Sequence, residues 1–299
     1  MRSSHRAGPA AALLAALIAL GPALAGCSSD SADSSDGPAA DRASTSASAT
    51  ASSGGGDTTV TYDATAAPGS DLMQRTADRL RARAKAFGLA GALIAVHGST
   101  ITAQTPGDAA DKLRRMAATA ELLFRPVLTP SRSTPPDLRK RYDALQCAAP
   151  SSATPSSTGT PAAVKPVAAD QPTVGCDRTT GMKYLMGPAE LDGSEVKSAK
   201  AQLDSQSHEW TVMLDFTPAG RTAFARSTAR LAQLVSPGNQ LAMVLDGTII
   251  SAPSVQSAIT GGQAQIAGDF KQADAESLAA LLTGGALPIP LVVKDVTKD

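Results

Sequence analysis

The stretch from Trp210 to Phe216 restricts this chain more than any other. Trp210, Val212, Leu214 and Phe216 alternate with Thr211, Met213 and Asp215. Successive side chains of a strand point to opposite faces, so a period of two demands a strand with one face on a core. Thr217-Pro218 follows at once. A threonine hydroxyl satisfies a free N–H of a first helical turn, and proline is tolerated at the first helical position. A helix is therefore expected next, with Phe224, Thr228, Leu231 and Val235 on its inner face and Pro237-Gly238 as its end.

The segments that follow read the same way. Leu241 to Leu245 is an apolar run of strand length. Asp246-Gly247 signals a tight hairpin turn, because both central residues of a type I′ turn need positive φ. Thr248 to Ala252 is its returning strand, and Gln263 to Ala267 is another. Lys271 to Leu282 reads as a helix that buries Leu278, Leu281 and Leu282, stopped by Gly284-Gly285. Leu287 to Val293 reads as a closing strand with prolines at an edge.

An earlier stretch, 58–128, folds separately in this reading. Thr58 to Ala64 is a strand, and Ser70 caps a helix whose stripe is Met73, Ala77, Leu80, Ala84 and Phe87. Arg75, Arg79, Arg81, Arg83 and Lys85 fall mostly off that stripe, which assigns them to a solvated face. Gly91 to Val96 and Thr100 to Gln104 form a hairpin. Leu113, Met116, Ala117 and Ala120 mark a second helix, and Glu121 to Leu128 a further strand. The order is β-α-β-β-α-β, a ferredoxin-like split pattern. The fold class expected is α+β, with a base at 58–128, an inserted α+β head at 182–286, and a closing strand and tail at 287–299.

Between the two lies 129–181, rich in Pro, Ser, Thr and Ala, read as a long and partly disordered connection. The N-terminus is read as a targeting segment. Arg2 and Arg6 precede an apolar run from Ala10 to Leu20, too short to span a bilayer but of signal-peptide length. Leu24-Ala25-Gly26-Cys27 resembles the bacterial lipobox, in which cleavage precedes the cysteine and its thiol is acylated. Residues 1–26 are thus expected to be a signal peptide and Cys27 the lipid anchor in the cell membrane, on its extracytoplasmic face. Two acyl chains there give stable attachment. Residues 27–57 hold almost nothing to bury and read as a disordered tether of roughly 30 Å reach.

The chain has three cysteines. With Cys27 used by the lipid, Cys147 and Cys176 remain as an even pair in an oxidising compartment, where a disulfide is expected.

Charge and motif exclude several function classes. Lys plus Arg equals Asp plus Glu at 27 each, so no basic surface for nucleic acid is implied. Aromatic residues are 3% of the chain, too few for a stacking surface. The sequence holds no nucleophile elbow, P-loop, dinucleotide glycine fingerprint or zinc-binding helix motif. His97 and His208 read as surface histidines. Asp274 and Glu276 sit at a helix start, where acidic groups favour the dipole. No catalytic residue, metal or cofactor is expected, and the chain is read as a non-enzyme.

A family resemblance gathers these pieces. Lys183-Tyr184-Leu185-Met186-Gly187-Pro188, the Trp210 to Phe216 strand with Pro218-Ala219-Gly220, and Leu245-Asp246-Gly247-Thr248-Ile249-Ile250-Ser251-Ala252-Pro253 resemble the first extracytoplasmic domain of SecD. So do Gly262 with Gln265 to Phe270, and Leu278-Ala279, Leu282 and Gly285 to Pro288. Asp246, Gly247 and Pro253 form the family-motif turn. Arg81 to Leu89, Pro106-Gly107-Asp108 and Glu121 to Arg125 resemble the base of that domain more weakly. The resemblance implies a ferredoxin-like base completed from both ends of the domain. It also implies a role beside the Sec translocon, binding emerging exported polypeptide or the translocon itself. SecD couples proton flow to domain motion through membrane helices that this sequence does not match, so no motor of its own is expected. The competing expectation is a domain repurposed as a structural or interaction lipoprotein of the cell envelope.

Overall fold

A computed structural model describes residues 56–147, 167–177 and 180–298. The expected signal peptide, Cys27 and the tether up to residue 55 lie outside the described residues, as do 148–166 of the connection. Strand β1 (Asp57–Ala64) leads to helix α1 (Ser70–Ala86), the hairpin β2 (Leu93–His97) and β3 (Thr100–Pro106), and a short helix α2 (Ala110–Arg115). Then come β4 (Leu122–Pro126), α3 (Pro136–Ala144), β5 (Thr173–Cys176), β6 (Lys183–Met186) and β7 (Leu191–Asp192). After a 3-10 turn lie β8 (Val196–Leu203), β9 (Trp210–Phe216), α4 (Pro218–Leu231), β10 (Leu241–Leu245) and β11 (Thr248–Ser251). β12 (Gln263–Phe270), α5 (Gln272–Gly284) and β13 (Leu291–Lys298) complete the order.

The base sheet runs β13-β1-β3-β2, antiparallel throughout. β1 and β2 are joined through α1 with β3 between them, which is the split β-α-β arrangement. One face is covered by α1 and α5, which pack against each other. Val60, Tyr62, Ile101 and Leu291 from the strands meet Met73, Leu80 and Ala84 of α1 and Leu281 of α5.

The closure differs from the contiguous pattern read over 58–128 and agrees with the base completed from both ends that the resemblance implies. The second helix and fourth strand of the base are α5 and β13, from the far end of the chain. Helix α2 has six residues, too few to cover a four-stranded sheet, and β4 is buried at all five positions. A strand buried on both faces belongs inside a layered structure. β4 accordingly pairs with β10 and β7 in a second sheet of order β11-β10-β4-β7. Its Leu122 and Phe124 enter the head core with Val212, Leu214, Phe216 and Leu278. Its Leu123 and the following Val127 face the other way, onto Tyr184, Met186 and Ile249.

The third sheet is β12-β9-β8, with β9 central. It spans the residues read as strand from their alternation. Helix α5 sends Ala280 and Leu281 to the base core and Ala275, Leu278 and Leu282 to the head core. A helix that is apolar round most of its circumference is a buried one, and this one is shared by both cores.

Three local readings are corrected. Ser70 is not a side-chain cap, since Gly69 holds the N-cap position and no side chain bonds there. Arg83 is not on a solvated face but fully buried. It lies three residues beyond Leu80, so it shares the inner side of α1 with the apolar stripe. The closing strand starts at Leu291 rather than Leu287, because Leu287 is used as core.

Candidate functional site

Three features of the fold could serve a binding function: a polar junction between the base and the head, an apolar cavity in the head, and a disulfide-closed connection.

The junction is built from the turn Asp246-Gly247. Both residues have positive φ, 48° and 78°, as the hairpin requires. The Asp246 carboxylate accepts from the N–H of Ala120 at 3.0 Å and of Glu121 at 2.8 Å. The Asp246 N–H in turn donates to the Glu121 carbonyl at 2.9 Å. The turn thereby holds the point where the chain leaves α2 for β4. Ala120 is itself at positive φ, 54°, a position that the bond to Asp246 helps to hold.

Beside it, Arg83 donates to four main-chain carbonyls. These are Met116 at 2.6 Å, Thr119 at 2.9 Å, Gly285 at 2.7 Å, and Ala118. Burial lowers the guanidinium to about 10, against the pull of Asp246, so it remains charged at neutral pH. Glu121 is held above the ordinary carboxylate range, first by burial and then by the negative charge of Asp246. Of the residues read as the family-motif turn, Asp246 and Gly247 thus sit at the junction. Pro253 lies apart, where its carbonyl accepts from Leu241 and its side chain lines the head cavity.

That cavity has a volume of about 320 Å³. Phe124, Phe224, Leu241, Met243, Val255 and Ile259 are among its walls. Phe124 and Phe224 stand edge to face at 6.1 Å, and Phe216 backs both at 5.6 and 4.8 Å. Ile259 at the cavity is 38% exposed. The segment carrying Pro253 to Ile259 is fixed by the Thr228 hydroxyl, which accepts from the Ile259 N–H at 2.9 Å. An aromatic-backed cavity with an accessible rim suits an apolar side chain. Sequence reasoning does not find it, because its walls come from α4, β4, β10, β12 and the loop after β11.

Small residues set how closely the head elements approach. A Cβ on Gly220 would stand 2.7 Å from the Glu195 Cβ and carbonyl oxygen, so only glycine lets α4 start against that turn. Thr217 caps α4 by accepting from the Gly220 N–H at 3.1 Å.

Cys147 and Cys176 are joined, with Cα atoms 5.6 Å apart. Arg125, buried in β4, donates to the carbonyls of Gln171, Gly187 and Ala168 at 2.7, 2.9 and 3.0 Å. The stretch read as a loose connection therefore holds helix α3 and strand β5, tied down by one covalent bond and one buried cation. His97 is the last residue of β2, and His208, at φ 58°, lies in the connection between β8 and β9. Among the described residues there is no cluster of His, Cys, Asp and Glu that could hold a metal ion, and no helix long and apolar enough to cross a membrane.

Residues 171–289 match the family model of the SecDF P1 head subdomain. The chain is similar there to the SecDF P1 head, and its fold is that of a SecD-type extracytoplasmic domain. The matched region contains the Asp246-Gly247 turn, all of α5 and every wall of the cavity except Phe124. The protein translocase subunit SecD of Streptomyces coelicolor is 40% identical over 164 residues, covering 54% of this chain and 28% of that protein. The SecD of Endomicrobium trichonymphae is 32% identical over 228 residues, 74% of this chain and 46% of the relative. This chain therefore spans less than half the length of either. Among solved structures, one described as a membrane component SecDF that enhances protein export matches with a TM-score of 0.54 at 27% identity. It covers 79% of this chain and 98% of its own. A SecDF structure in a super-membrane-facing form gives a TM-score of 0.57 at 27% identity, over 82% of this chain and 30% of that one. Both likenesses extend well beyond the P1 head region, into the base and its split sheet.

Proposed function

We propose that this protein is a SecD-type binding module that holds emerging, unfolded polypeptide outside the cytoplasm, as an accessory to protein export. The observation that carries the reading is the apolar cavity walled by Phe224, Met243 and Val255, within the region that matches the P1 head, and by Phe124 of β4 outside it. Unfolded chains expose apolar side chains, and a cavity of this size accepts one or two of them. The proposal includes a signal peptide at 1–26, attachment to the membrane through acylated Cys27, and a tether that lets the module reach its ligand. It assigns the chain no catalytic step, no cofactor and no proton-driven stroke of its own. Translocon components are the expected neighbours.

The test is site-specific photocrosslinking in living cells from Gln256, an exposed residue at the cavity. Newly exported polypeptides or translocon subunits should be captured. If neither is caught, and deletion of the gene leaves export unchanged while altering another envelope trait, the domain is a repurposed envelope protein instead. Cys27→Ser should release the protein from the membrane fraction without altering its unfolding midpoint.

A further inference from the structure

The head sheet ends in an edge strand whose free main-chain groups face a cleft. β8 pairs only with β9 in the order β12-β9-β8. At the closed end of that hairpin, the Asp204 N–H donates to the Glu209 carbonyl. In a regular antiparallel ladder, residues whose N–H and C=O point toward the partner alternate with residues whose groups point away. Asp204 is of the first kind, so Leu203, Ala201 and Ala199 are of the second. Ala199 shows the consequence directly. The Thr283 hydroxyl of α5 accepts from its N–H at 3.0 Å and lies 3.2 Å from its carbonyl, capping both groups. The register is unbroken from Ser198 to Leu203, so Ala201 and Leu203 repeat this orientation. Among the described residues neither has a Thr283 of its own.

Ala199, Lys200 and Ala201 line one wall of a cleft of about 850 Å³. Ala86 to Gly88 of the base and Lys112 and Arg115 of α2 form the other wall, and α5 is the floor. Arg115 is drawn toward α5 by Ser277 at 2.9 Å and Asp274 at 3.3 Å. The rim carries both signs, with Lys112 and Lys200 against Asp111 and Glu276. The walls are mostly short side chains. Such a cleft offers no charge to select one ligand, but it leaves room for a backbone. An exposed edge normally carries a guard, and β2 shows one, since Arg81 donates to the Ile94 carbonyl at 2.9 Å. β13 carries Lys294, Asp295 and Lys298, and β8 carries Lys197 and Lys200 before the Ala201 to Leu203 stretch, which itself holds no charge. The Ala201 to Leu203 edge has Leu203, 47% exposed, at its end.

We propose that the β8 edge from Ala201, at the cleft wall, outward to Leu203 is a strand-addition site, which takes an extended polypeptide through its main chain at the mouth of the cleft. This rests on the reading of the domain as a holder of unfolded polypeptide, and says how a ligand without a fixed sequence is held. Main-chain bonds supply affinity that every polypeptide can meet, as in other strand-addition complexes. The apolar cavity adds side-chain preference at a separate place.

The test uses the full exported chain and two fluorescent ten-residue peptides of alternating Thr and Val. One is unmodified; the other is N-methylated at every internal amide, which keeps its side chains but removes its donors along both edges. The unmodified peptide should bind, and the methylated one should bind about tenfold or more weakly, the loss of one to two main-chain bonds. Ala201→Pro removes an N–H that β9 does not use, so it should weaken the unmodified peptide to a similar degree with an unchanged circular dichroism spectrum. The peptide pair decides the matter even if that variant does not fold. Equal binding of the two peptides, or no binding of either, overturns the edge proposal. A protein that still captures polypeptide from Gln256 in cells would keep its proposed function while losing this mode of binding. Capture by neither route would remove both.

Discussion

Arg83 and Gly284 meet backbone to backbone: a Cβ on Gly284 would stand 3.0 Å from both the Cα and the N of Arg83, and closer still to its Cγ. Through this contact α1 and α5 close over the base sheet, and it brings the Gly285 carbonyl within reach of the guanidinium. Alanine is the better helix former by up to about 1 kcal/mol, but the Cγ it would strike belongs to a side chain held by four carbonyls, and the Cα and N behind it are main chain that cannot rotate away. Gly284→Ala is therefore expected to destabilise by about 1–3 kcal/mol, the range for overpacking, read as a lower urea midpoint.

Removing the guanidinium should cost more. Arg83→Met leaves the carbonyls of Met116, Ala118, Thr119 and Gly285 buried around an apolar side chain. A loss of about 3–5 kcal/mol is expected, as when a buried charged network loses one partner. Arg83→Lys should recover only part, since an ammonium has three donors at one point and cannot span the same carbonyls. Urea unfolding of the three proteins orders them as wild type, Lys, then Met.

Asp246→Ala tests the junction from its other side. It removes the acceptor for the Ala120 and Glu121 N–H groups and places a residue with a Cβ but no polar side chain at φ 48°. About 1–3 kcal/mol should be lost, and Asp246→Asn should lose less, because it keeps one acceptor and tolerates that φ. Amide hydrogen exchange at Ala120 and Glu121 should accelerate in the alanine variant before exchange in β9 changes.

How much of this was legible follows from how local each signal is. The strand Trp210–Phe216, its Thr217 cap and the Asp246-Gly247 turn were readable because each depends on a few neighbouring residues. The pairing of β4 with β10 joins residues more than a hundred positions apart, and the period of a strand does not name its neighbour; the return of the closing strand to the base is legible only through the family resemblance. Arg83 was misread for a related reason. A charged residue near an apolar stripe is usually solvated, and the four carbonyls that satisfy it come from two distant loops. β8 was missed because Val196 to Leu203 buries only Ala199. A strand that lies along a cleft carries little alternation.

The pH dependence of stability should carry a mark of Glu121. Its folded value is raised above the ordinary glutamate range. The native state thus binds this proton more tightly than the unfolded chain, and by linkage the group's contribution falls as pH rises through the interval between the two values. Its stabilising effect is complete below the unfolded value and lost above the folded one. Glu121→Gln, neutral throughout, should flatten that part of the curve and leave the protein slightly more stable at neutral pH. Urea midpoints taken from the ordinary glutamate range up to neutrality give the comparison. A parallel pair of curves would place the proton elsewhere.

The Cys147–Cys176 bond closes a sequence separation of 29 residues. In the chain-entropy account a loop of this length contributes about 3–4 kcal/mol. The double variant Cys147→Ser, Cys176→Ser should lose about that much on urea unfolding. Buried Arg125 still holds Gln171 and Gly187 to β4, so the loss should fall on the stability of the whole fold and leave the core strands in place. Reduction of the wild type should reproduce the variant. Binding at the head cavity, whose walls include neither cysteine nor any residue of β5, should persist in both. That last outcome separates the tie across the connection from the part of the molecule proposed to meet its ligand.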